Sequence, residues 1–187
     1  MERQDLTHCQ ISGIRVLHVK NFVHRDLKPE NFLIGRREKD RTYLTDFGMV
    51  KQYRDPRTKQ HIPKKENNSL AGTARYMSIN AHLLQEQSRR DDLEALGYVF
   101  LYFLRGFLPW QGIEAPTKDE KVEKIGRKKL ETALEELCEG YPVVRSYLEY
   151  ASNLGFQEDP DYDHLQELFS DALKDEGEED DGKYCWI

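Results

Sequence analysis

The sequence predicts an α+β chain that is predominantly helical, and three observations carry that expectation. Apolar residues recur at helical spacing through residues 6–19 and again through most of the second half. Two or three short apolar runs near the start, within 21–35 and 43–47, are of strand type. The run Leu93-Glu94-Ala95-Leu96-Gly97-Tyr98-Val99-Phe100-Leu101-Tyr102-Phe103-Leu104 is apolar nearly all round, the signature of a buried helix.

In order, residues 6–19 read as an amphipathic helix with Ile11, Ile14, Leu17 and Val19 among its apolar positions. A strand Phe32-Leu33-Ile34, a turn and a strand Tyr43-Leu44-Thr45 follow. Residues 51–71 are polar and basic with no apolar period, which predicts a long loop; loops of that length are usually functional or disordered. The buried helix is expected over 91–105, ended by Gly106, Pro109 and Gly112. Helices are expected over 118–127, 129–139, 143–154 and 162–173. One domain over 1–174 and an acidic flexible tail over 175–187 complete the organisation.

The net charge of −6 hides an asymmetry. Six acids and no base stand in 175–181, while 36–75 carries eleven Lys and Arg against five Asp and Glu. By charge alone a basic middle reads first as solvated loops and second as a surface for anionic partners. No aromatic stacking pattern or zinc-finger spacing supports nucleic acid as the partner. The longest apolar run, 98–104, is too short to span a bilayer, and the first residues lack the apolar core of a secretory signal. Cys9, Cys138 and Cys185 make neither a disulfide framework nor a zinc site. The ending Lys183-Tyr184-Cys185-Trp186-Ile187 is not a prenylation box. These features predict an intracellular monomer, cytoplasmic or nuclear, without a transmembrane segment or lipid anchor.

The chemistry concentrates in two motifs. His24-Arg25-Asp26-Leu27-Lys28-Pro29-Glu30-Asn31 matches H-R-D-L-x-x-x-N, and fifteen residues after Asn31 comes Asp46-Phe47-Gly48. Together they are the catalytic-loop and metal-loop signatures of protein kinases. Phosphoryl transfer needs a base or orienter for the incoming hydroxyl, for which Asp26 is the candidate. Magnesium takes hard oxygen donors such as the Asp46 carboxylate and the Asn31 amide. Lys28 supplies positive charge to the transferring group. A hairpin between the motifs would set Asn31 beside Asp46, with Gly48 freeing the backbone to turn. Taken singly, each residue reads as an ordinary loop residue, and His24 as a packing residue; the combination is specific.

Further motifs narrow the resemblance. Where many Ser/Thr kinases have A-P-E, this sequence has Gly72-Thr73-Ala74-Arg75-Tyr76-Met77-Ser78-Ile79-Asn80. Glu86-Gln87-Ser88-Arg89-Arg90-Asp91-Asp92-Leu93-Glu94 and Leu108-Pro109-Trp110-Gln111-Gly112 follow. With Tyr53-Arg54-Asp55 and Gln60-His61-Ile62-Pro63, these resemble the casein kinase 1 family over residues 6–169. The wording of 46–51 and of Tyr76-Met77 is most similar to fungal members.

The resemblance implies a protein-kinase-like fold and transfer of the ATP γ-phosphate to Ser or Thr of protein substrates, with Mg²⁺. The implied catalytic residues are Asp26, Lys28 and Thr73, the last hydrogen-bonding toward the first two. Lys28, Glu30, Asn31 and Asp46 would face the nucleotide, and Asn31 and Asp46 would hold the metal. Asp92 would anchor the catalytic-loop backbone, serve as a helix N-cap, or both. The implied activation segment is 46–80. Family members favour acidic or already phosphorylated sites through an anion pocket, whose positions match Arg75, Gly112 and Lys121. The alternative for Lys121 is an exposed helix lysine. Lys64, Leu84 and Glu114 depart from the family's usual Tyr, Gly and Lys.

No Gly-rich phosphate loop, strand lysine or partner glutamate precedes His24. The expectation is therefore the large lobe without the small one, with weak ATP affinity. A non-catalytic substrate- or anion-binding decoy is the alternative.

Overall fold

The computed structural model describes residues 4–36, 42–67, 69–175 and 177. Helix α1 (Gln4–Val19) leads into strand β1 (Phe22–Val23); strands β2 (Phe32–Ile34), β3 (Thr42–Leu44) and β4 (Lys51–Gln52) follow. Then come α2 (Ile79–His82), α3 (Arg89–Arg105), α4 (Lys118–Glu131), α5 (Leu134–Leu137), α6 (Pro142–Asn153) and α7 (Tyr162–Asp175). The helical character and the few short strands match the expectation.

Helix α3 organises the molecule. Leu93, Leu96, Val99 and Leu101 lose all solvent contact, and even Asp91, Asp92 and Glu94 are buried. At its start the Ser88 amide donates to Asp91 Oδ2 at 2.7 Å, and at its end Gly106, with φ +80°, turns the chain out. Helix α6 lies against α3 so closely that a Cβ on Gly97 would sit 2.4 Å from Leu148 Cδ2. Only hydrogen fits there. Phe100 meets Tyr147 and Phe169 edge-on at 5.2 and 5.4 Å, binding α3, α6 and α7 into one apolar core. Helix α1 packs on α7 and contributes Ile11 and Ile14.

Two antiparallel ribbons flank the catalytic motif. β1 pairs with β4, Val23 opposite Lys51, and β2 pairs with β3, Phe32 opposite Leu44. These ladders leave the loop 24–31 between β1 and β2 and deliver 45–50 beside it. The loop expected over 51–71 is more ordered than its composition suggests. It contains β4 and bridges from Arg54 to His61 and from Glu66 to Gln85. Asp55 Oδ1 accepts the amides of Arg57 and Thr58 at 2.8 and 2.7 Å, a turn closed by its own side chain.

A single helix, α4, runs through the break expected at 128, and only α5 remains of the segment expected over 129–139. Ile125, Gly126 and Lys129 bury one face continuously, and nothing breaks the helix before Thr132. Among the described residues no helix is long and apolar enough to cross a membrane. Of the tail expected over 175–187, only residues 175 and 177 fall within the described residues; the others, Cys185 among them, lie outside these.

Candidate active site

The site starts from a buried carboxylate. Asp92, in the first turn of α3, is 1% exposed; its Oδ2 accepts the His24 amide at 2.6 Å and its Oδ1 the Arg25 amide at 2.8 Å. His18 Nε2 approaches Oδ2 at 2.9 Å, and the opposite ring nitrogen meets Tyr162 Oη at 2.6 Å. Burial pushes the Asp92 carboxyl up, but His18 and the two amides outweigh it and hold the group below its ordinary value. Burial lowers the His18 pKa, against the pull of Asp92. A neutral ring donating from Nε2 and accepting from Tyr162 fits both contacts. Of the two roles expected for Asp92, anchoring is the one the geometry displays, since the N-cap amide of Ser88 goes to Asp91.

This anchor restrains a backbone that would otherwise relax. Arg25 has φ +69°, an uncommon conformation for a residue with a Cβ. Its guanidinium Nε donates to the Met49 carbonyl at 2.7 Å, tying the loop to the turn after Asp46. His24, fully buried, sets Nε2 3.1 Å from the Thr45 carbonyl.

Asp26 is the next residue out. Its Oδ1 accepts both the amide and the hydroxyl of Thr73 at 2.7 Å, and its Oδ2 accepts Lys28 Nζ at 2.7 Å. Burial acts to raise its pKa, but Lys28 and Thr73 outweigh it and hold the carboxyl below the usual range. Lys28 is raised, chiefly by its hydrogen bond to Asp26. Both groups are therefore charged throughout the neutral range. Lys28 Nζ also lies 3.6 Å from Asp46 Oδ2, so one ammonium bridges the two carboxylates.

Asn31 is 3% exposed, and its Nδ2 donates to the Asp26 carbonyl at 2.9 Å, a bond that spends the amide nitrogen and not the amide oxygen. The Thr45 amide returns to the Asn31 carbonyl at 2.9 Å, so the hairpin does set Asn31 beside the Asp46 segment. One detail differs from expectation. The left-handed residue is Asp46 itself, at φ +62°, and not Gly48. A Cβ at 48 would stand 3.3 Å from Asp46 Oδ1, so that glycine gives the carboxylate room rather than the chain a turn.

The donor set suits Mg²⁺. Asn31 and the half-exposed Asp46 offer hard oxygens, and among the described residues no cluster of three acidic, His or Cys ligands exists. Magnesium is ordinarily held in that way, by one or two protein oxygens, with water and substrate phosphates completing its shell.

The structure thus joins Asp26, Lys28, Asn31, Asp46 and Thr73 in one centre anchored by Asp92. Glu30 stands apart, exposed on the short turn Pro29–Asn31. Arg75 is half-buried, with its guanidinium carbon 5.8 and 5.9 Å from the ring centres of Tyr76 and Tyr102. Trp110 Nε1 donates to the Arg75 carbonyl at 2.7 Å, which brings the turn containing Gly112 toward that residue. Gly112 has φ +77° and open space around it; Lys121 is exposed in the first turns of α4. No side-chain contact joins these three. The basic middle is partly spent internally: Lys51 and Lys65 lie 2.7 and 3.9 Å from the buried Glu86. His18 and Tyr162 were not legible as site supports, because each acts on residues distant in sequence and neither lies in a motif; Glu86 stands in the motif over 86–94, but its partners Lys51 and Lys65 are distant in sequence.

The protein kinase domain family matches residues 2–173. The chain is 57% identical over 181 residues to Casein kinase I homolog 2 of Schizosaccharomyces pombe, covering 95% of this chain and 42% of that protein. It is 55% identical over 181 residues to Casein kinase I homolog 1 of Saccharomyces cerevisiae, covering 95% of this chain and 34% of that protein. It therefore spans about two fifths or less of these relatives' length. Extent of match and the assembled catalytic centre agree: the chain belongs to the protein kinase family, and within it resembles the casein kinase I homologues of fungi.

Proposed function

We propose that this chain is the helical, substrate-binding lobe of a casein kinase 1-like Ser/Thr kinase, transferring the γ-phosphoryl of ATP to protein hydroxyls. The observation that carries the reading is the Asp26 carboxylate, kept ionised and aimed by Thr73 and Lys28. Asp26 accepts the hydrogen bond of the incoming Ser or Thr hydroxyl and takes up its proton as the new O–P bond forms. Lys28 faces the transferring group and offsets its charge, and Thr73 keeps the carboxylate oriented. Asn31 and Asp46 would hold Mg²⁺, which neutralises phosphate charge when bound with the nucleotide.

Leu33, Ile34 and Phe47, 51%, 43% and 55% exposed, lie on the hairpin that ends at Asp46 and on the turn after it. Exposed apolar side chains there suit contact with an adenine ring and a second lobe. Because these 187 residues contain no Gly-rich phosphate loop, the chain alone is expected to show no detectable phosphotransfer. Clear activity of the isolated chain, abolished by Asp26→Asn, would contradict that. If the chain binds acidic peptides yet stays inactive when a small lobe is supplied, the decoy reading replaces this one.

Substrates with acidic or phosphorylated residues near the acceptor fit Arg75, Gly112 and Lys121 as the anion subsite, since paired cations with an exposed backbone amide suit a phosphate. Glu114, exposed two residues after Gly112, opposes that preference. Glu114→Lys in an active form of the protein is expected to favour phosphorylated over unphosphorylated peptides in kcat/KM. An unchanged ratio would remove Glu114 from the site.

A further inference from the structure

Lys129 is the most deeply buried cation of α4, 3% exposed, and none of the catalytic roles above uses it. Its Nζ donates to the Met77 carbonyl at 2.6 Å. It lies 4.6 Å from the ring centre of Tyr98 and 5.0 Å from that of Trp110. A lysine so placed is costly, because burial disfavours its charge, and burial does pull its pKa down against the opposing field of Glu94. The two aromatic faces and the carbonyl offset part of that cost.

The surrounding bonds show what the lysine is attached to. Trp110 Nε1 holds the Arg75 carbonyl at 2.7 Å, and Glu94 Oε1 accepts the Ile79 amide at 2.8 Å and the Tyr98 hydroxyl at 2.8 Å. Ser78 Oγ donates to Asp91 Oδ1 at 2.7 Å. Within the segment, the Thr73 carbonyl accepts the amides of Tyr76 and Met77 at 2.9 Å. Residues 75–79 are therefore gripped from α3, α4 and the Trp110 turn, and their upstream end, Thr73, is bonded to Asp26. A shift of the Met77 carbonyl would move Arg75 on one side and the Thr73 turn on the other.

We infer that Lys129 is a positioning residue for substrate: by clamping the Met77 carbonyl between Tyr98 and Trp110 it fixes residues 75–79, and with them Arg75, relative to Asp26. An apolar side chain would fill the same space but leave the buried carbonyl without this donor. The inference deepens the proposed function and rests on it for the word substrate; the clamp itself does not.

The test uses the full chain and two readouts, amide hydrogen exchange and affinity for an Asp/Glu-rich Ser peptide. Lys129→Met is compared with Ile125→Val, a milder core change on the same helix that leaves Met77 untouched. Lys129→Leu, which also lacks a donor, is the second variant should Lys129→Met fail to fold. Loss of this one buried hydrogen bond, which leaves the Met77 carbonyl without its donor, is expected to speed exchange of residues 76–79 and to weaken peptide binding, each by about ten-fold. The His24 and Arg25 amides, held by Asp92, are expected to stay unchanged, and Ile125→Val to leave residues 76–79 unchanged. Unaltered exchange at 76–79, or the same change from Ile125→Val, overturns the clamp. Faster exchange with unweakened peptide binding overturns the substrate role. Faster exchange in a chain whose wild type binds no peptide upholds the clamp and overturns the proposed function instead.

Discussion

Asp92→Ala is expected to cost about 3–5 kcal/mol, as removal of one partner from a buried charged network does. For a chain of this size that is a melting temperature lower by roughly 6–20 °C. Three donors lose their acceptor at once, the amides of His24 and Arg25 and the His18 ring. The left-handed Arg25 then has no carboxylate to hold it, so the loop carrying Asp26 relaxes. Asp92→Asn keeps the shape and one carbonyl oxygen but turns an amino group toward donors, and is expected to fall between wild type and Asp92→Ala. Thermal denaturation by circular dichroism measures both. An Asp92→Ala chain melting within 2 °C of wild type, where roughly 1 kcal/mol is the most that could have been lost, would show that Asp92 is only a surface-type helix acid.

Gly72→Ala is expected to lower phosphotransfer by about a hundred-fold or more, the scale of a misplacement near 1 Å at a reacting centre. Gly72 has φ +112°, and a Cβ there would lie 2.6 Å from the carbonyl oxygen of Arg25, a residue whose amide Asp92 holds. The chain must retreat, and the next residue, Thr73, leaves Asp26 Oδ1. Kinetics in an active form of the protein, compared at matched folded fraction, would show the fall in kcat beside a lower melting temperature from the strain of a side chain at φ +112°. Undiminished kcat would mean that the Thr73–Asp26 bonds are dispensable.

The two motifs made the catalytic centre legible because phosphoryl transfer constrains residue type and spacing together: Asp26, Lys28, Asn31 and Asp46 fall within 21 residues of chain. The buried helix was equally legible, since an apolar pattern with no polar face has only one place to go. What sequence could not show lies in contacts made across long separations. His18 supports Asp92 from 74 residues away, and Lys129 reaches Met77 across 52. A lone buried histidine or lysine looks like any surface residue of its helix. The sequence expectation divides at 128 what is one helix, because nothing in the pattern shows that Lys129 is buried with Ile125 and Gly126. The motif suggests a turn at Gly48, whereas the left-handed residue is Asp46, which must present its carboxylate.

The most direct test of the phosphotransfer centre joins this chain to the small lobe of one of its casein kinase I relatives. Mg²⁺-dependent transfer from ATP to a Ser peptide is then measured for wild type and Asp26→Asn at matched folded fraction. Asp26 as proton acceptor requires transfer by the wild type and a loss of roughly 10²–10⁴-fold in kcat for Asp26→Asn, with unchanged melting. Activity within ten-fold of wild type in Asp26→Asn would contradict the assignment of this centre.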